Sequence, residues 1–202
     1  MNGQTQYCIV NDSGGQVWDK DIYAYNMFGR SHFAFLWSCD QGDVIGQTYN
    51  GVPVGMPYAW TRRNASQLSL DGYTNATPTG FAFIGFIGAG PALDYDYGQG
   101  YYFAAYFYQC AFTIGKTLDQ ALDYAALRVW QCTFASCPYR LGFTFPDGSS
   151  GEMVIYGDGT LAIEFASSQP PDPPQCPLGG LGGGGRPGIP NIIHNSSEHS
   201  SS

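Results

Sequence analysis

The fold expected for this chain is decided by the stretch SHFAFLWSCDQGD, residues Ser31 to Asp43. Its apolar run, FAFLW at residues 33–37, has the length and composition of a buried β-strand. The run ends in a polar turn that begins at Ser38 and contains a cysteine, Cys39. Several α/β folds present a nucleophile in this way, on a turn at the carboxyl edge of the central sheet. The stretch therefore predicts that Cys39 is a catalytic nucleophile.

The turn after Cys39 also predicts how a reaction would be supported. Its backbone amides, at Asp40 and Gly42, are expected to help stabilise the oxyanion that forms when a thiol attacks a carbonyl group. A structural interpretation stands beside this one, because most cysteines are small, buried hydrophobic residues without a catalytic role.

Composition limits the partners that this chain is expected to bind. The 202 residues include 16 acidic side chains against 8 lysines and arginines, which gives a net charge of −8. This balance is unfavourable for contact with phosphate backbones, so nucleic acid is not expected as a partner. No stretch reaches the roughly 18 apolar residues of a membrane-spanning helix, so no membrane span is expected. With 44% hydrophobic residues, the chain can bury a substantial core.

The six cysteines are too few to form a disulfide scaffold in a chain of this length. Cys132 and Cys137 are separated by four residues in an expected loop, and a local disulfide between them is predicted. Neither a CxxC nor an HxxxH pattern occurs, so a metal site is not expected. No cofactor is expected either.

Four Asn-x-Ser/Thr sequons occur, at Asn11, Asn64, Asn75 and Asn195, together with a low lysine content. These features favour an extracytoplasmic location, either secreted or at the cell surface. The first residues, Met1-Asn2-Gly3-Gln4, lack the basic and apolar regions of a signal peptide. A targeting segment is therefore expected to lie outside this sequence.

Two further apolar runs, residues 81–87 and 153–156, are expected to be strands of the same sheet. Runs that are apolar on both faces are typical of parallel strands covered by helices. Between them, an aromatic helix is expected over residues 98–114, followed by an amphipathic helix that begins with a capping box of Thr117 and Gln120. The predicted fold is therefore α/β, with a mainly parallel sheet flanked by helices.

The composition of the chain changes sharply near Ser167. Residues 1–166 contain the long apolar runs and are predicted to form one domain, in which residues 44–80 make a long surface excursion. Residues 167–202 are rich in Pro, Gly and Ser and lack the apolar residues that a core requires. They are predicted to be a disordered linker or tail.

The order of these elements is similar to that of a known family. One apolar strand ends in Cys-x-x-Gly at residues 39–42, and a second ends in a Gly/Ala/Pro turn at residues 88–91. An aromatic helix and a helix that opens with Gly-Lys-Thr-Leu at residues 115–118 follow, and a closing strand ends in Tyr-Gly-Asp-Gly-x-Leu at residues 156–161. Over roughly residues 30–165, the chain resembles the carboxyl-terminal half of the caspase-like (clan CD) cysteine peptidases, especially their gingipain-like branch.

This resemblance implies a caspase-like three-layer sandwich, incomplete at its amino end, that cleaves peptide bonds in a protein or peptide substrate. It assigns the nucleophile to Cys39, whose own amide would contribute to the oxyanion hole. It also implies that the turn containing Gly88, Ala89 and Gly90 borders the substrate pocket.

One catalytic residue of the family has no counterpart in this sequence. The family carries a His-Gly pair at the end of the strand that precedes the cysteine strand, whereas no histidine occurs here before His32. His32 lies on the cysteine strand itself, and seven extended residues place it about 23 Å from Cys39. Direct proton transfer requires about 3 Å, so His32 is not expected to act on Cys39.

The missing histidine leaves two interpretations open. In the first, the chain is a fragment of a cysteine endopeptidase, and an upstream or companion segment carries the catalytic histidine. In the second, it is a non-catalytic extracellular surface protein that uses the same scaffold to bind protein or glycan. The abundance of Tyr, Asn and Gly in the expected loops suits such a binding face.

Overall fold

The computed structural model describes residues 8–10, 14–25, 32–49, 52–61, 70–76 and 78–163. The predicted disordered tail, residues 167–202, lies outside the described residues. The strands, in chain order, are β1 (Cys8–Val10), β2 (Gln16–Trp18), β3 (Phe33–Phe35), β4 (Ile45–Tyr49), β5 (Val52–Val54), β6 (Ala82–Gly88), β7 (Phe143–Thr144) and β8 (Ser150–Gly157). The helices are α1 (Asp19–Tyr25), α2 (Met56–Thr61), α3 (Tyr95–Tyr108), α4 (Leu118–Trp130) and α5 (Pro138–Leu141).

A four-stranded sheet in the order β3-β6-β8-β7 forms the centre of the fold. The cysteine strand β3 pairs in parallel with β6, and Phe33 lies opposite Ala82. The other two pairings are antiparallel, and Ala82 lies opposite Gly157 where β6 meets β8. The two remaining pairs, β1-β2 and β4-β5, form separate antiparallel ribbons.

The α/β class is confirmed, but the prediction of a mainly parallel sheet is wrong because the sheet is mixed. The error has a physical cause. Alternate residues of β6 pack on opposite sides of the sheet, Ile84 and Phe86 against one core cluster and Phe83 against another. A strand covered on both faces is apolar throughout whichever way its neighbours run, so the pattern reports burial and not strand direction.

One face of the sheet is covered by α3, α4 and α5, whose buried aromatic and aliphatic side chains form the larger core cluster. The right-handed part of α3 begins after Gly98, because residues 96–98 have left-handed backbone angles. The helix continues into a wider π-type turn at Gln109–Thr113. Thr117 precedes α4 as predicted. The predicted capping box does not form, because the hydroxyl of Thr117 donates to the carboxylate of Asp119.

The opposite face of the sheet is covered by α1 and α2. Met56, Tyr58 and Ala59 of α2 are almost fully buried against Phe83 and strand β8. The prediction that residues 44–80 form a surface excursion is therefore wrong for α2. Gly55 precedes α2 and Pro57 lies within it, and both residue types are typical of loops. The sequence therefore lacks the long apolar run that would have revealed this buried helix.

None of the helices in the described part of the chain is long and apolar enough to cross a membrane. Of the four sequons, the asparagine of one, Asn75, is described, and it is exposed next to a turn. Asn11, Asn64 and Asn195 lie outside the described residues. The extracytoplasmic location stays a prediction.

Candidate functional site

Cys39 lies just beyond the carboxyl end of β3, on a turn that residues 38–42 form. The approach to this turn is anchored twice. The amide of Leu36 donates to the carbonyl of Ile84 at 2.9 Å, and the indole nitrogen of Trp37 donates to the carbonyl of Pro91 at 2.6 Å. Cys39 itself is exposed, so its interpretation as a buried core residue is wrong.

Gly90 contacts the sulfur of Cys39 directly. Its backbone N–H donates to Sγ at 3.2 Å, and its carbonyl oxygen lies 3.8 Å from the same sulfur. A Cβ at this position would lie 3.0 Å from the carbonyl carbon of Ser38 and 3.1 Å from the nitrogen of Cys39. Glycine therefore allows the loop after β6 to approach the thiol, and Gly90 belongs to the site.

The turn amides that were predicted to stabilise an oxyanion are already bonded. The N–H of Asp40 donates to the carbonyl of Gly88 at 2.7 Å, and the N–H of Gly42 donates to the carbonyl of Phe86 at 2.8 Å. These bonds extend the pairing of the chain with β6 beyond the end of β3. In this geometry the amides of Asp40 and Gly42 hold the turn, and neither is free to bind an oxyanion while these bonds are made.

Asp40 and Gly42 nevertheless shape the site. Asp40 has a φ of 60°, in the left-handed region, and this sharp change of direction follows the thiol directly. Gly42 is buried, and a Cβ there would lie 2.7 Å from Cγ2 of Val154 and 2.9 Å from the carbonyl carbon of Phe86. The turn therefore packs against the sheet at Gly42, where no side chain larger than the hydrogen of glycine fits.

An open groove of about 490 Å³ begins beside this turn, at Gly88. Gly88 connects the two features, because it lines the groove while its carbonyl accepts the N–H of Asp40. Ala89 bonds through its amide to the carbonyl of Ser150 at 2.9 Å, between the groove and Gly90. Among the lining residues, Glu152 alone carries an ionisable side chain. Sequence reasoning missed Glu152, because this residue comes directly before the apolar run 153–156 and belongs to no motif.

His32 lies at the other end of the cysteine strand, as expected. It is exposed, its ring stacks on Phe81 with centroids 5.1 Å apart, and its Nδ1 lies 3.1 Å from the carbonyl of Gly80. His32 is the one histidine in the described part of the chain. The residues that the structure describes therefore bring a thiol, an amide and a groove together, without a histidine beside the thiol.

Gln41 is a buried polar residue of the site that sequence reasoning did not identify. Its amide nitrogen donates to the carbonyl oxygens of Cys39 and Cys8, at 3.1 Å and 3.4 Å. Its carbonyl oxygen is buried without a hydrogen-bond partner. No local pattern reports this contact, because strand β1 reaches the turn only in the folded chain.

The predicted disulfide between Cys132 and Cys137 is not formed, and the structure holds both residues as free thiols. Cys137 is fully buried, which raises its pKa to about 12 from an ordinary value of 9.0. Burial also raises the pKa of the Cys132 thiol, although a hydrogen bond with Ser136 opposes the shift. These thiols belong to the packing around α4 and not to the Cys39 site.

Among the described residues, no three His, Cys, Asp or Glu side chains are grouped where they would hold a metal ion. Comparisons with protein-family models, with curated proteins and with solved structures find no match to this chain. Any function of the site is therefore argued from its own geometry.

Proposed function

We propose that this chain is part of a cysteine endopeptidase in which Cys39 is the nucleophile and a separate segment supplies the histidine. The observation that carries the proposal is the exposed Sγ of Cys39 just beyond the end of β3, an edge strand of the central sheet, where it accepts the N–H of Gly90. A strand end fixes the backbone of the nucleophile, and exposure allows a substrate to reach it.

The element order supports the same proposal. The cysteine strand β3 is followed by β6, the aromatic helix α3, helix α4 and the closing strand β8, as the resemblance to the caspase-like peptidases implies. The loop after β6 reaches the thiol through Gly90, and Gly88 borders the groove. Both glycines were implied to border the substrate pocket.

The reaction would follow the usual course of thiol acyl transfer. The Cys39 thiolate attacks the peptide carbonyl, and the oxyanion that forms needs donors other than the bonded amides of Asp40 and Gly42. The amide of Gly90 donates to the sulfur itself, so it is placed to hold the thiolate and not the oxyanion. A thiol nucleophile is activated by an adjacent base, so activity requires the added histidine.

The groove suggests which side chain a substrate would present. Glu152 is the one lining residue of the groove with an ionisable side chain, and its neighbours there are apolar, small or hydroxyl-bearing. A lysine or arginine side chain of the substrate would meet an opposite charge there, which adds to the attraction that the acidic chain already exerts on basic peptides.

The test is labelling by a thiol-directed peptidyl electrophile, located by peptide mapping. The protein is treated alone and with the coding region upstream of Met1 restored. We expect Cys39 to be labelled faster than the other cysteines, with a further increase in the extended protein. Cys39→Ala should abolish this label, whereas the matched variant Cys132→Ala should leave it unchanged.

A simple alkylating reagent without a peptide separates recognition from exposure. Among the five cysteines in the described part of the chain, exposure alone makes Cys39 the fastest thiol with either reagent. The peptidase proposal requires that the ratio of the labelling rate of Cys39 to that of Cys132 is higher with the peptidyl reagent than with the simple reagent. If the ratio of these two labelling rates is the same with both reagents, in both forms of the protein, the proposal is contradicted.

A second function is favoured by one specific observation, the exposed tyrosines of α3. Tyr97, Tyr101 and Tyr102 are 81%, 60% and 52% exposed, and the rings of the last two lie 5.7 Å apart. Tyrosines supply rigid contact area at low entropic cost, as in binding proteins. This face supports the non-catalytic alternative, a surface protein that binds protein or glycan.

The two functions predict different sensitive residues. In a binding protein, Tyr101→Ala should weaken capture of the partner and Cys39→Ala should have no effect. In a peptidase, Cys39→Ala should abolish labelling and turnover. The exposed residue Leu127, on α4, offers a matched control as Leu127→Ala, since it is 51% exposed but lies outside the tyrosine face.

A further inference from the structure

One contact in the structure has no role in the proposed reaction, and it joins strand β1 to the Cys39 turn. The amide nitrogen of Gln41 lies 3.1 Å from the carbonyl oxygen of Cys39 and 3.4 Å from that of Cys8. A single amide group therefore separates the backbones of two cysteines that are far apart in the sequence. Both are free thiols, and neither is buried in the core.

Cys8 is half-buried on β1, like its neighbour Ile9. Ile9, the next residue, packs against the core cluster that contains Phe83. Because successive side chains of a strand point to opposite faces, Cys8 is directed away from that core. The competing thiols Cys110 and Cys137 are 2% and 0% exposed, so they are closed to a reagent that reaches Cys39.

The amide that separates the two cysteines is itself poorly satisfied. Gln41 is 5% exposed, and its carbonyl oxygen has no hydrogen-bond partner. Leaving such a group unpaired costs about 1–3 kcal/mol. Movement of this side chain out of the gap would bring that oxygen into water, would break the two bonds of the amide nitrogen, and would let β1 and the turn approach.

We propose that Cys8 and Cys39 form a reversible disulfide, which closes the candidate nucleophile under oxidising conditions. The bond rests on the placement of the two cysteine backbones on either side of the Gln41 amide. Its inhibitory effect rests on the proposed function, since only a catalytic Cys39 has an activity to lose.

The reaction requires a two-electron oxidant, and a peroxide suffices. The Cys39 thiolate attacks one oxygen of hydrogen peroxide, the O–O bond breaks, and a sulfenic acid and hydroxide result. The hydroxide takes up the proton that the thiol released. The Cys8 sulfur then attacks the Cys39 sulfur, the S–S bond forms, and the S–O oxygen leaves as water with the proton of Cys8. Two thiols are oxidised and the peroxide is reduced to two water molecules.

The test uses the full chain, reduced and then treated with hydrogen peroxide at a small excess. Free thiols are blocked with an alkylating reagent, and the disulfide-linked peptides are identified by mass spectrometry. We expect one main linked pair, between the peptides of Cys8 and Cys39, which is lost when dithiothreitol is added. The same treatment in denaturant should give mixed pairs, because the placement is then lost.

Two variants make the result decisive. In Cys8→Ser, the Cys39 sulfenic acid should persist and should be trapped by a dione reagent, whereas Cys132→Ser should leave the Cys8–Cys39 pair unchanged. Recovery of Cys8 as a fully alkylated thiol beside oxidised Cys39 in the folded chain would overturn the proposal. A link of Cys39 to Cys176 would overturn it as well.

Peptidyl labelling of the same samples separates this inference from the proposed function. If the disulfide forms and the reduced protein shows no peptide-dependent labelling, the bond stands and the peptidase fails. If reduced Cys39 is labelled but the disulfide does not form, the peptidase stands and this inference fails. When both hold, oxidation should decrease labelling at Cys39 by roughly tenfold or more.

Discussion

The hydroxyl of Tyr156 donates a hydrogen bond of 2.6 Å to the carbonyl oxygen of Gly42. Tyr156 lies near the end of β8 and Gly42 ends the Cys39 turn, so the closing strand of the sheet holds the turn that follows its cysteine strand. Both residues are buried. The position of the exposed thiol therefore depends on a contact made 114 residues away in the sequence.

Replacing Tyr156 with phenylalanine should lower stability and loosen the turn. Tyr156→Phe removes a buried hydrogen bond and leaves the Gly42 carbonyl without this donor, at an expected cost of about 1–3 kcal/mol. Urea denaturation measures the loss, and the alkylation rate of Cys39 reports the mobility of the turn. Tyr102→Phe, at an exposed tyrosine, should change neither quantity.

Adding a methyl group at Gly42 should also destabilise the fold. In Gly42→Ala, the new carbon would lie 2.7 Å from Cγ2 of Val154 and 2.9 Å from the carbonyl carbon of Phe86. Overpacking of this kind costs about 1–3 kcal/mol. The exposed neighbour variant Ser38→Ala should stay within about 0.5 kcal/mol of the parent. Combining Val154→Ala with Gly42→Ala should restore part of the loss, because it removes one of the two clashes.

The pKa of the Tyr73 phenol is expected to be raised, in part by Asp123. Burial, together with the carboxylate of Asp123 that accepts its hydroxyl hydrogen bond at 2.7 Å, raises its pKa to about 12. Asp123→Asn should therefore lower the pKa of Tyr73 toward its ordinary value of 10.0. Nuclear magnetic resonance of carbon-labelled tyrosine follows this titration, with Tyr73→Phe assigning the signal. An unchanged pKa in Asp123→Asn would show that burial accounts for the whole shift.

Alkaline pH should destabilise the protein in part through Cys137. Burial raises the pKa of its thiol from 9.0 to about 12, so between these values the unfolded chain loses a proton that the folded chain keeps. The stabilising contribution of the neutral thiol is complete below pH 9.0 and is lost as the pH rises toward 12. The slope of stability against pH should be less negative in Cys137→Ala. Equal slopes in the two proteins would contradict this assignment, whatever the absolute stability of the variant.

The charge of Glu152 should control the preference of the groove for basic side chains. With lysine and norleucine peptides of otherwise equal sequence, Glu152→Gln should decrease the preference for lysine by about 1.5- to fivefold, the range of a partly solvated ion pair. Competition against the peptidyl electrophile measures the preference. Asp94→Asn, at an exposed carboxylate outside the groove, is the matched control. Equal decreases in both variants would indicate a general effect of net charge.

The elements of this fold were largely predictable, because burial leaves a local signal. The apolar runs at 33–37, 81–87 and 153–156 predicted β3, β6 and β8, and periodic apolar residues predicted α4. The same patterns do not report partners or direction. The mixed sheet was therefore missed, since β6 is apolar on both faces whether its neighbour is parallel or antiparallel.

By itself, the sequence determined that Cys39 follows an apolar strand and lies on a polar turn, and that no histidine precedes it in this sequence except His32 beside the same strand. Only the tertiary structure decided that the thiol is exposed, that Gly90 points its amide at the sulfur, and that the amides of Asp40 and Gly42 are bonded to β6. The physical reason is the range of the contacts. Periodicity records whether a residue meets water or core, whereas hydrogen bonds across the sheet join backbone groups that look alike at every position of the chain.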